Sequence, residues 1–133
     1  MKHIGYRILF LLTGSIIIAG YYSCTKAGLG GEAAIVAFPK HHDLSIPGCI
    51  IYIKYDTEEF PGEDVSVYDD MEAAEEHTGQ DPHVHFENLK KGKYYLYGIG
   101  FDSSINAVVK GGIPFPINDK NGEFEVIIPV TED

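Results

Sequence analysis

The sequence predicts an all-β protein, a single antiparallel β-sandwich of about seven strands. Three observations predict it. The apolar runs are short and dominated by Tyr, Phe, Ile and Val, residues that suit a pleated, half-buried surface. They recur at roughly 8–12 residue intervals between clusters of Pro, Gly, Asn and Asp, the rhythm of sandwiches and barrels. No long amphipathic helix alternates with them, so a parallel α/β sheet is not expected.

Taken in order, residues 33–38 form a first strand, stopped by Pro39. Residues 49–55 form a second, with Cys49, Ile51, Ile53 and Tyr55 on one face and Ile50, Tyr52 and Lys54 on the other. A short strand, 84–86, follows Asp81-Pro82. Residues 93–102 make a long strand with Tyr94 and Leu96 directed inward. Residues 105–111 come next, continued by 115–117 beyond Pro114. Residues 124–130 close the domain, with Phe124, Val126 and Ile128 on one face. The turn 118–122 ends in Asn121-Gly122, which accepts positive φ and predicts a tight hairpin. Residues 71–76 are good helix formers, yet an acidic edge strand fits them equally.

The N-terminus sets the compartment. Lys2 and Arg7 precede an uncharged apolar run, residues 8–19. A membrane span needs about 20 such residues, so this run has the length of a secretion-signal core. The segment Gly20-Tyr21-Tyr22-Ser23-Cys24 resembles the lipobox of bacterial lipoproteins. Ser23 and Cys24 match its last two positions, and Tyr21 stands where Leu is usual. The resemblance implies cleavage before Cys24 and acylation of its thiol. Residues 1–23 are then a leader, 24–32 a glycine-bearing flexible tether, and 33–133 the folded domain. Two or three acyl chains would make membrane residence effectively permanent. The expected location is a Gram-negative envelope, on the outer membrane and facing the periplasm. An uncleaved N-terminal anchor and a plain secretory peptide stay open.

Both basic residues of the leader leave with it, so eight Lys side chains face 20 acids, a formal charge of −12. Such a surface excludes nucleic acid as a partner, because phosphate contacts need cations. With Cys24 lipidated, Cys49 is a lone thiol in a small core position.

Two segments resemble a second family. Ile46-Pro47-Gly48-Cys49-Ile50-Ile51-Tyr52-Ile53 is similar to the opening of carboxypeptidase-regulatory-like, prealbumin-type (transthyretin-like) β-sandwich domains. Phe86-Glu87-Asn88-Leu89-Lys90-Lys91-Gly92-Lys93-Tyr94-Tyr95-Leu96 is similar to that group's turn and following strand. The resemblance spans residues 33–130. It implies a fold and an accessory, binding or spacer role, and fold alone fixes no activity.

Three groups of residues are candidates for chemistry. His83 and His85 project from one strand face, and His41-His42 lie in an earlier loop. If they converge, their imidazoles suit Zn²⁺ or Cu²⁺. Glu58, Glu59, Glu63, Asp64, Asp69 and Asp70 supply oxygens of the kind Ca²⁺ takes, without an EF-hand pattern. Tyr52, Tyr95 and Tyr97 sit opposite the core face and predict an aromatic patch, unless the loop 56–82 folds over it. Nucleophile-elbow, zinc-protease, P-loop and dinucleotide motifs are missing, so no catalytic residue and no enzyme is expected. The leading expectation is a lipid-anchored binding module whose tyrosines contact an envelope protein or a glycan. A His-based metal module is the second, and a ligand-free spacer the third.

Overall fold

The computed structural model describes residues 26–133, so the expected leader and Cys24 lie outside the described residues. The strands are β1 (Leu29–His41), β2 (Leu44–Ser45), β3 (Ile50–Tyr55), β4 (Asp70–Ala73), β5 (Glu75–His77), β6 (Gln80–Leu89), β7 (Gly92–Asp102), β8 (Ala107–Ile117) and β9 (Asn121–Pro129). One sheet has the order β2-β1-β6-β5, with β9 also on β1; the other is β4-β3-β7-β8.

The all-β class holds, and two details of the expectation change. The described residues form nine strands rather than about seven, because β2, β4 and β5 are short polar strands that carry no apolar run. The pairing is antiparallel except between β1 and β9, which run parallel from Glu32↔Asn121 to Lys40↔Pro129. The chain at 118–120 is therefore a crossover between sheets, not a hairpin, and Asn121-Gly122 already belong to β9.

The prolines of β8 explain that crossover. Pro114 and Pro116 pair with Tyr95 and Lys93 of β7, so their donorless nitrogens must lie on the strand's other edge. That edge cannot hold a full ladder. It pairs only further along, where Lys110 and Thr131 exchange backbone hydrogen bonds of 2.9 Å. β9, denied β8, pairs with β1 and closes one side of the curled structure.

The core lies between the sheets: Ile35, Ala37, Val84, Phe86 and Ile128 from one meet Cys49, Ile51, Ile53, Tyr94, Leu96 and Val109 from the other. Alternation along each strand makes this face, as the sequence pattern requires. Cys49 is fully buried. Gly100 lies against it, and a Cβ there would come within 3.0 Å of the cysteine's own Cβ. Burial pushes the Cys49 thiol up to about 12.

Two segments are more ordered than their composition suggests. Residues 27–32, expected as flexible tether, pack into the domain. Gly28 N–H donates to Tyr94 Oη (2.9 Å) and Ala27 N–H to Asp56 Oδ1 (2.8 Å). Residues 71–76 take the strand alternative. β4 extends the β3 sheet, and Ala74 then plugs the edge between the two sheets through backbone bonds to Gly48 and Cys49 before β5 joins the other sheet.

Candidate metal centre

The four expected histidines do not converge. β1 carries His41 inward at its end, continuing the inward row Ile35, Ala37, Pro39. β6 carries His83 and His85 on the outer face of the same sheet, against Phe38. The two pairs lie on opposite faces, because positions 84 and 86 occupy the core face of β6.

What joins His41 instead is a set of residues distant in sequence. Asp102, at the end of β7, accepts from His41 Nδ1 at 2.7 Å. Asp102 is itself fixed, its other oxygen accepting from Ser104 N–H (2.8 Å) and Ser104 Oγ (2.6 Å). The His41 and Asp102 side chains are each only 4% exposed. Asp102 therefore sets the tautomer: Nδ1 carries the proton and Nε2 is left as the outward-directed nitrogen.

Nε2 faces the C-terminal tail, where Glu132 Oε2 lies 2.6 Å away and the Glu132 side chain is half exposed. The separation is short, but its direction is not that of a hydrogen bond, and Nε2 has no hydrogen-bond partner. A buried imidazole nitrogen without a bond is costly unless something else occupies it.

His42 completes the group. Neighbours on a strand point to opposite faces, yet the His41 and His42 ring centres are 4.4 Å apart. The cause is the two-residue turn between β1 and β2, in which His42 adopts φ +52°. That left-handed conformation swings its ring back beside His41. Among the described residues, His41, His42 and Glu132 are the one set of three potential ligands whose donor atoms all lie within 4.8 Å of one another.

The donor set is two imidazoles and a carboxylate, with Asp102 orienting one imidazole from behind. This is the composition of open zinc sites that keep a position for water or a further ligand. Two donors each about 2.0–2.1 Å from Zn²⁺ stand about 3.3 Å apart in tetrahedral geometry, so Glu132 need retreat by only about 0.7 Å to admit the ion. In the metal-free state, Asp102 above all raises the His41 pKa, with Glu132 assisting against the opposing effect of burial. Ser104, then His41, hold the Asp102 carboxyl down to about 2.

The other sequence candidates fall differently. Tyr52, Tyr95 and Tyr97 do share the outer face of their sheet, but they are not an exposed patch: each is less than a tenth exposed. The segment between β3 and β4 covers them. Phe60 lies 5.7 Å from Tyr95 and 5.2 Å from Tyr97, and Tyr68 stacks on Tyr97 at 5.8 Å. A 3₁₀ turn at Val65–Val67, capped by Asp64, shapes this cover, and Glu63 ties it to Lys110 of β8 at 2.8 Å. The acidic stretch is engaged in such local bonds: Asp69 accepts from Tyr55 N–H, and Glu58 pairs with Lys93.

Sequence reasoning missed Asp102 and Glu132. Asp102 is followed by Ser103-Ser104, an ordinary turn composition, and Glu132 sits in a short acidic tail; neither carries a metal-ligand spacing. Comparisons with protein-family models, with curated proteins and with solved structures returned no match.

Proposed function

We propose that the chain is an envelope lipoprotein, tethered through Cys24, whose β domain is a non-enzymatic binding module for a divalent cation of the Zn²⁺ or Cu²⁺ type. His41, His42 and Glu132 hold the ion, and Asp102 positions His41. The observation that carries this reading is the buried His41, fixed on one nitrogen by Asp102, with its other nitrogen 2.6 Å from Glu132 outside hydrogen-bond geometry and His42 beside it. We read the two sheets as a prealbumin-type sandwich closed along the β8–β9 side, in keeping with the sequence resemblance.

The test is calorimetric titration of the full-length chain in detergent with Zn²⁺. Binding at or below ~10 μM that falls at least about tenfold in Glu132→Gln supports the proposal. No heat leaves the ligand-free spacer, and an unchanged isotherm in the variant refutes the site at Glu132. Recognition of a protein or glycan by Tyr52, Tyr95 and Tyr97 requires the cover of residues 56–69 to lift, so the geometry favours the cation. The anchor has its own assay: mass spectrometry of the N-terminal peptide should find Cys24 first, carrying two or three acyl chains.

A further inference from the structure

A cation at His41 leaves three imidazoles of the β5–β6 hairpin unused. Glu75 pairs with His83, so strand alternation brings His77 to the His83 face across the register shift between Glu75 and His77. His83 and His85 share that face because they are two residues apart on β6. The result is a row: His77 and His83 have ring centres 5.1 Å apart, and His83 and His85 4.9 Å. Glu123 and Glu125 of β9 line the same depression, with Val36 and Phe38 between them and the imidazoles.

Two features suit this row to a metal. The first is the spacing. An imidazole nitrogen about 2.0–2.1 Å from a metal puts its ring centre about 3.2 Å away, so two ligating rings at 90–109° stand about 4.5–5.2 Å apart. Both separations fall in that interval. The second is a fixed tautomer. His83 is largely buried, packed on Phe38 at 5.2 Å, and its Nδ1 lies 2.7 Å from the Asp81 carbonyl oxygen. A carbonyl only accepts, so Nδ1 carries the proton and Nε2 keeps its lone pair. His77 is exposed and His85 half-buried, so both can rotate to bring a nitrogen toward the same point.

We infer that His77, His83 and His85 form a second cation site, separate from His41, that takes Cu²⁺. Three neutral nitrogens with no enclosing cage impose little geometry, and affinity then follows the intrinsic order that places Cu²⁺ above Zn²⁺. Being open, the site exchanges its ion readily. It does not depend on the His41 centre.

The experiment is Cu²⁺ titration of the full-length chain, followed by calorimetry and electron paramagnetic resonance. Every chain carries His3→Ala, so that any leader left uncleaved adds no histidine near the amino terminus to the Cu²⁺ count. The parent should bind two equivalents. His77→Ala/His85→Ala should bind one, with the thermal midpoint unchanged. His42→Gly/Glu132→Gln should also bind one, with hyperfine structure from three nitrogens. His77→Asn alone should weaken that equivalent at least about tenfold, and it covers the case in which the double variant misfolds. Retention of two equivalents in His77→Ala/His85→Ala overturns the second site. So does a parent that binds one equivalent, lost in His42→Gly/Glu132→Gln. A parent binding one equivalent, lost only in His77→Ala/His85→Ala, sustains the second site and sinks the His41 proposal instead.

Discussion

Replacing His42 by glycine should make the metal-free domain more stable and the metal-loaded domain less so. His42 sits at φ +52° in a two-residue turn, a place glycine fills without a Cβ penalty. A left-handed residue costs about 1–2 kcal/mol when it is not glycine, so His42→Gly should raise apo stability by about 1 kcal/mol. Metal binding reverses the order. At a Zn²⁺ concentration 100 times the parent Kd, the ion adds about 2.7 kcal/mol to the parent. If losing one of three ligands weakens binding about 100-fold, the same concentration adds only about 0.4 kcal/mol to the variant. The parent then leads by about 1.3 kcal/mol, where without metal it trailed by about 1. The assay is urea unfolding of both proteins with chelator and with Zn²⁺. Equal stabilisation of the two by Zn²⁺ would refute His42 as a ligand. A variant less stable in chelator would refute the argument that the turn is strained to bring the ring into place.

Four further outcomes follow from the same geometry. Asp102→Asn keeps the shape but no longer orients and polarises His41, so Zn²⁺ affinity should fall about 10–100-fold by calorimetry. The apo protein should be most stable between about pH 3.8 and 6.5. His41 has a pKa raised from 6.5, so its contribution is full below 6.5 and lost as pH rises through the elevated value; Asp102, lowered from 3.8 to about 2, loses its contribution as pH falls through that range. Urea midpoints across pH should show the decline toward pH 8, and a flat profile would contradict it. Cys49, buried with its thiol pushed up to about 12, should resist a thiol reagent until the domain unfolds, and Cys49→Ser should cost roughly 1–3 kcal/mol for an unpartnered hydroxyl. Tyr97→Ala should cost about 3–5 kcal/mol in urea unfolding, because the ring is buried under Phe60 and Tyr68 rather than offered to a partner.

Much of the fold was legible in local pattern. The alternation of Cys49, Ile51 and Ile53 against Ile50, Tyr52 and Lys54 gave the two faces of β3, and both are as expected. Gly98 and Gly100 lie inside β7, and both approach Cys49 closely. The illegible parts are those where partners are remote. The Asn121-Gly122 signal describes a turn but not which strand receives the chain after it, and the upstream prolines Pro114 and Pro116 made that choice. The tyrosines were placed on the correct face, but a face does not reveal its cover, which comes from a loop with no periodicity of its own.

The candidate site divides in the same way. The sequence by itself determined an all-β chain, two histidine pairs and an acidic composition, because composition and a period of two act between neighbours along the chain. Only the tertiary structure decided that these pairs part company. His41 and His83 project to opposite faces of one sheet, Asp102 arrives from the other sheet, and Glu132 arrives with the tail after β9. Ligand convergence is set by which strands pair and where they end, and strand pairing is a contest among distant segments for backbone hydrogen bonds and a shared core.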